Sequence, residues 1–368
     1  LSGSLTRVTG ENVGDYAIDQ GTLANSNYNI TYAGANLSVT ERPITVTAAA
    51  ATKEYGATDP AFNYALTSGT LVGSDVLAGE LGRASGANVG SYAMTIGTLA
   101  NTNYAITLVP ANLTITQRPI TVTAADKTKV FGSTDPSLTY SVTSGSLVGS
   151  DSFGGALSRT SGETVGTYSI TQGSLDNSNY DITFVDGELT VSQATQNALS
   201  VTTSQVVYGT SVVLGSTGGS GTGDVTYAVT SAGTAGCSIS SDTLTATGDV
   251  GSTCTVTATK AQSTNYSVAS SSAQTITVID RAITVTATAV SKTYGDTDPT
   301  LEYTITSGAL VAGDELIGSL DRVSGEDVGT RAINQGTLAN ANYVITFVAA
   351  NLTIDPRPIT VTATNTVK

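Results

Sequence analysis

Histidine and tryptophan are absent from the sequence. Without imidazole the usual Ser–His and Cys–His arrangements cannot be assembled, and no GxxxxGKS/T phosphate loop takes their place. Cysteine occurs only twice, and two thiols with no histidine beside them do not complete a zinc site. Charged residues are sparse, at 12%, with 29 acidic against 15 basic side chains and a net charge of −14. That sign opposes nucleic acid and anionic lipid, and its ordinary consequence is solubility. No run approaches the roughly 18 apolar residues needed to span a bilayer, and Leu1 falls inside a repeat, so no signal peptide can be read. Long helix formers are few. What remains is Thr, Ser, Gly, Val and Ala, the material of strands and turns.

The dominant positive feature is periodicity. Arg-Pro-Ile-Thr-Val-Thr opens at Arg42, Arg118 and Arg357, with a near copy at Arg281. The steps from Arg42 to Arg118 and from Arg281 to Arg357 are both 76 residues; the middle interval of 163 is one such step plus an insert of 87. A fixed long period describes an array of like modules. Complete copies are expected at 42–117, 118–193 and 281–356, with the C-terminal part of a copy at 1–41, an insert at 194–280 and the first strand of a further copy at 357–368. Units this small are marginally stable alone, so neighbour contacts or a covalent staple should matter.

Within a copy, alternation predicts strands. Ile44 and Val46 share one face and Thr45 and Thr47 the other, and Pro43 sits at the strand start, where a missing N–H is tolerated. Turns follow at Tyr55-Gly56, Phe131-Gly132 and Tyr294-Gly295, and at Asp59-Pro60, Asp135-Pro136 and Asp298-Pro299. A single helical turn is allowed around Asp75, Asp151 and Asp314. Further on, Tyr16, Tyr92 and Tyr168 each follow a Val-Gly turn, with Ile18, Met94 or Ile170 two positions later. This pattern resembles the tyrosine corner of immunoglobulin-like sandwiches; copy 281–356 departs from it, with Arg331 in the Tyr position. Tyr28, Tyr104, Tyr180 and Tyr343 end an Asn-x-Asn-Tyr run. They read as the first inward residue of a strand, with a carbohydrate platform as the alternative.

Cys237 and Cys254 lie in the insert and flank a hairpin-like stretch. They are expected to form a disulfide, worth about 3 kcal/mol on the chain-entropy model, and hence to favour an oxidising compartment; a metal or redox pair is the alternative. Asp296-Thr297-Asp298 has the alternation of a calcium loop, but its counterparts lose one carboxylate. Calcium is therefore the one cofactor kept as an option. Lys53, Lys129 and Lys292 share one repeat position and read as lysines snorkelling beside a strand, with an isopeptide bond to Asn as the alternative. No catalytic, cofactor-binding or metal-ligating residue is predicted.

The motifs RPITVTA, YG followed by TDP, TSGSLV, VGTYSI and NSNY resemble the mostly-beta, glycine-rich (MBG) modules of very large bacterial surface proteins, and the insert resembles a bacterial immunoglobulin-like domain. The resemblance implies secreted or cell-surface adhesins and fibres of bacteria, in which such modules form a stalk. The fold expected is therefore all-β, small sandwich modules in a rod, since only two or three residues separate one module from the next. Partners expected are the neighbouring modules and further copies in a fibre, including strand addition by 357–368.

Overall fold

The structure is a computed structural model that describes residues 1–366 and 368. Every regular element is a strand, and no described helix is long and apolar enough to cross a membrane. The chain divides into two compact units. The first comprises 1–129, 135–162 and 167–190; the second comprises 130–134, 163–166 and 191–368.

In the first unit, residues 42–117 illustrate how one copy folds. Strand Arg42–Ala48 lies between Tyr64–Ser68, antiparallel, and Tyr104–Val109, parallel. A second sheet runs in the order Ala51–Glu54, Asn112–Thr116, Gly90–Thr95, Gly82–Arg83. Arg42–Glu54 therefore crosses from one sheet to the other at Ala49-Ala50, and Tyr104–Thr116 crosses beside it at Pro110-Ala111. Alternation fills the space between: Ile44, Val46 and Ala48 face Met94, Leu113 and Ile115, all buried. Apart from Ala48, each such side chain contributes roughly 1.5–3 kcal/mol on leaving water. The threonines take the outer face, where the Thr47 and Thr67 hydroxyls pair at 2.8 Å.

Pro43 is the second residue of a central strand. It is accommodated because the antiparallel partner begins only at Thr45, leaving the proline a neighbour on one side alone. No helical turn forms at Asp75; its N–H closes a turn on Val72 O at 3.0 Å. Copy 118–193 repeats the three-stranded sheet within this unit, while residues 1–41 form a sheet of Thr6–Arg7, Gly14–Asp19 and Ala35–Val39.

In the second unit, copy 281–356 has the same two sheets. The insert builds its main sheet from Gln205–Val207, Gln274–Ile279, Thr253–Lys260 and Val225–Ser231. Against it lies a smaller sheet of Ser211–Val213, Thr243–Thr245 and Ser238–Ser240. Cys237 and Cys254 are disulfide-bonded and buried among Val206, Leu214, Leu244 and Ile276. Residues 357–366, expected as a strand, are not in one, and Val367 lies outside the described residues. Elsewhere this sequence sits between two partner strands; here it has neither, and Ile359 and Val361 are 82% and 85% exposed.

Candidate functional site

The residues with the most repeated geometry meet where one copy follows another. Asn-x-Asn-Tyr supplies the receiving side. Its first asparagine closes the local turn: Asn101 Oδ1 accepts from Asn103 N at 3.0 Å, and its Nδ2 donates to Val76 O at 2.9 Å. Its second asparagine is thereby aimed outward. Asn103 Oδ1 accepts from Val13 N–H at 2.9 Å and its Nδ2 donates to Asn12 Oδ1 at 3.0 Å, both across to the preceding copy. Asn179 makes the same pair of bonds with Val89 and Asn88, and, in the second unit, Asn342 with Val250 and Asp249 of the insert. Also in the second unit, Asn265 accepts from Val165 N–H at 3.0 Å.

The tyrosine of the motif turns inward. Tyr104 OH accepts from Val72 N–H and donates to Asp75, each at 2.7 Å; Tyr180 and Tyr343 repeat this with Val148 and Asp151, and with Val311 and Asp314. Burial raises the pKa of all three phenols, so they stay protonated donors throughout the ordinary pH range. Tyr28 departs from the expectation and is 71% exposed. The residues that receive the phenol in complete copies have no counterpart in 1–41.

Onto this receiving side docks the Tyr-Gly turn of the preceding copy. Tyr55 OH donates to Asp151 at 2.9 Å, its ring stands edge-on to Tyr180 with centroids 5.6 Å apart, and Arg118 Nη1 lies 3.5 Å from Tyr55 O. The insert does the same with Tyr208, which reaches Asp314 at 3.4 Å and Tyr343 at 5.8 Å, with Arg281 beside Gly209 O. Gly56 and Gly209 have φ of +78° and +65°, and a Cβ on them would fall 2.4 and 2.2 Å from Val148 and Val311. Glycine is thus required twice over, for conformation and for approach. Phe131 stands edge-on to Tyr266, 5.5 Å apart, in the second unit. The last repeated arginine, Arg357, reaches Tyr294 O at 3.3 Å, whereas Arg42 donates to Thr70 at 3.0 Å.

A second repeated cluster braces each copy from within. Lys53 and Arg83 hold Asp59 at 2.7 and 2.6 Å, and Lys129 and Arg159 hold Asp135, each at 2.6 Å. Lys292 and Arg322 hold Asp298 at 2.6 and 2.7 Å. The lysines therefore do not snorkel, and their partner is an aspartate rather than an asparagine. An isopeptide bond would need a neutral amine, while at Lys292 the hydrogen bonds to Asp298 and Glu326 favour the charged form. The two cations, arginine foremost, push Asp59, Asp135 and Asp298 down to about 2. Asp298, one arm of the calcium-like alternation, has both oxygens on cations. Among the described residues no cluster of three His, Cys, Asp or Glu side chains is assembled.

Arg83 also stacks on Tyr92, and Arg159 on Tyr168, at 5.3 and 5.5 Å; Arg7 stacks on Tyr16 at 5.7 Å. The corner hydrogen bond is formed, with Tyr92 OH on Asn88 O at 2.8 Å and Tyr16 OH on Asn12 O at 2.7 Å. In the departing copy Arg331 Nη2 takes the same carbonyl position, Asp327 O, at 3.1 Å, and Glu326 joins Lys292 and Arg322. An arginine thus replaces the tyrosine's hydrogen bond.

These aspartates give a pH prediction. Each is ionised in the folded chain down to about 2 and in the unfolded chain only down to its ordinary 3.8. Their contribution is therefore complete above about pH 4 and is lost as pH falls toward 2. The thermal midpoints of the repeat copies should fall over that interval, and less steeply for the copy carrying Asp59→Asn. An equal slope for that copy sinks the assignment.

No curated protein matches the sequence. Among solved structures, the crystal structure of Drosophila N-cadherin EC1-4 is similar at 10% identity and TM-score 0.21, over 52% of this chain and 58% of that one. The protocadherin gamma B7 extracellular cadherin domains 1–4 are similar at 11% identity and TM-score 0.25, over 73% and 84%. The four N-terminal Ig domains of Dscam1 isoform 9.44 are similar at 11% identity and TM-score 0.21, over 74% and 81%. The model of the MBG domain (YGX type) matches residues 1–38, 44–114, 120–190 and 283–353. With those four segments covering more than half of its length, the chain belongs to the MBG domain (YGX type) family.

Proposed function

We propose that the chain is a non-catalytic structural segment of an extracellular protein of a bacterial surface, a stalk or fibre whose task is to hold something at a distance. The observation that carries this reading is the joint. The same asparagine, tyrosine, aspartate and arginine positions lock copy to copy inside each unit, and linkers are reduced to one or two residues such as Gln117 and Asp280. Flexible tethers need several Gly or Ser residues between domains; these junctions have none. The buried disulfide supports an oxidising compartment.

Small-angle scattering of the whole chain tests the reading. The expected profile is that of a stiff rod, with roughly 30–45 Å of length per module from strands of this size. A compact particle, or a curve that only freely jointed beads can fit, overturns it. A second reading is favoured by one repeated feature: paired hydroxyls at Thr47–Thr67, Thr123–Thr143 and Thr286–Thr306 lie on outer sheet faces, each at 2.8 or 2.9 Å. Such a flat, small-residue face suits a glycan or protein ligand. Specific retention on a glycan array, abolished by Thr123→Val with Thr143→Val, would establish it.

A further inference from the structure

Three joints inside the chain are made by a turn of an aromatic residue and glycine, but their receiving sides are of two kinds. Backbone pairing identifies the equivalent positions. Asn179 O, Asn342 O and Asn265 O accept from the N–H of Arg118, Arg281 and Ala194, and those three residues pair with Tyr180, Tyr343 and Tyr266. The first two receiving sides add an aspartate, Asp151 or Asp314, and the turn that meets them is Tyr55-Gly56 or Tyr208-Gly209. The third, at Asn265 and Tyr266, meets Phe131-Gly132.

The third joint differs from the other two in four respects, and they change together. The arginine that lies at the turn carbonyl, Arg118 or Arg281, is replaced by Ala194. The valine that closes on the glycine, Val148 or Val311, has no counterpart within reach, since a Cβ added to Gly132 would meet nothing within 4 Å. The cavity of about 190 Å³ beside Asn265 and Tyr266 is lined otherwise by Ser220, Gly221, Thr222, Ser263 and Thr264, with no acidic side chain. The docking ring, finally, carries no hydroxyl. What the joint retains is the asparagine's bond to Val165 N–H at 3.0 Å and an edge-on ring pair at 5.5 Å. A phenyl ring can use both.

We infer that the aromatic residue of this turn selects the class of module that follows it. Tyrosine addresses a repeat module, whose aspartate accepts the phenol; phenylalanine addresses a module with the insert's receiving side, which offers no carboxylate. The selection comes from mismatch. Phenylalanine set against Asp151 leaves the carboxylate one donor short, and a hydrogen bond to a charged group is worth more than one between neutral groups. Tyrosine set against Asn265 and Tyr266 gains no such acceptor. Discrimination by an unmet polar group is the ordinary route to specificity between otherwise similar surfaces. The inference goes beyond the spacer reading, because it concerns which modules can be neighbours and leaves the stiffness of the chain open.

Amide exchange in the whole chain reads all three joints at once, through Val89, Val250 and Val165, whose N–H groups are bonded to Asn179, Asn342 and Asn265, each at 3.0 Å. Tyr55→Phe should quicken exchange at Val89 by about tenfold, as for loss of a hydrogen bond to a charged group. Tyr208→Phe should act in the same direction at Val250, and Phe131→Tyr should not slow exchange at Val165. In the Asp151→Ala chain, Tyr55→Phe should change nothing further at Val89, because the partner of its phenol is gone. Exchange at Val89 within about twofold of the parent in Tyr55→Phe overturns the inference, being too small for such a bond. So does slower exchange at Val165 in Phe131→Tyr, which would make tyrosine the better ring everywhere, or an undiminished effect of Tyr55→Phe beside Asp151→Ala. Unchanged protection at Leu113 and Val122, buried in their strands, shows that the copies stay folded, and the single-variant comparisons decide whether or not Asp151→Ala folds.

Discussion

Replacing Gly56 by alanine is expected to open the joint between copies 42–117 and 118–193. The new Cβ would lie 2.4 Å from Val148 Cγ2, and the residue would be held at φ +78°. The left-handed conformation costs about 1–2 kcal/mol and an overpacked contact about 1–3 kcal/mol. Backing the turn away relieves the contact, so the damage falls on the docking. Gly132 is the internal control, because it has φ +81° at the same repeat position and nothing within 4 Å. Gly132→Ala meets only the first cost. Hydrogen exchange at the Val89 amide, which is bonded to Asn179 across the joint at 3.0 Å, reports the outcome. It should quicken by more than about tenfold in Gly56→Ala, stay unchanged in Gly132→Ala, and recover when Val148→Ala is added. Unchanged protection in Gly56→Ala means that the turn is not what holds the copies together.

The second large effect is expected from Cys237→Ser with Cys254→Ser. The bond closes a sequence separation of 17 residues, for which chain entropy gives about 3 kcal/mol. For a unit of this size that shifts a melting midpoint by roughly 10–20 °C. Calorimetry should show one transition moving, that of the insert, while those of the repeat copies hold their temperatures. The effect should also reach the joint. Asp249, which accepts from Asn342 at 2.9 Å, stands on the turn that leads into Cys254, and Gly251 N–H is bonded to Val278 O in that turn. Exchange of the Val250 amide is therefore expected to rise with the loss of the bond. A midpoint that moves by less than a few degrees removes the disulfide from the account of the insert's stability.

The repeat, its strands and the disulfide were legible because each leaves a local trace. Alternation at Ile44 and Val46 marks an inward face, and two cysteines in a chain of this composition have one economical use. The joint left a trace that was harder to read. Tyr55-Gly56 reads as a turn because glycine alone accounts for a turn, and nothing nearby says that the tyrosine's partner, Asp151, is 96 residues away. The same holds for Val89 and Asn179, 90 residues apart. A signal did exist: a turn needs Gly or Asn, not an aromatic, so a tyrosine kept in phase with Gly, Asp and Asn is surplus to local requirements and points outward. Lys53 misleads for a related reason. A long cation beside a strand ordinarily reaches water, and only the fold brings Arg83, 30 residues on, to share Asp59 with it.

The insert shares little else with the repeats, yet it carries both halves of the coupling: Tyr208-Gly209 and Asp249-Val250 at one end, Asn265 and Tyr266 at the other. Compatibility thus resides in a handful of terminal residues and not in the interior. The insert thus joins copy 281–356 through the same plug and socket that join 42–117 to 118–193, although its core and its disulfide differ from theirs.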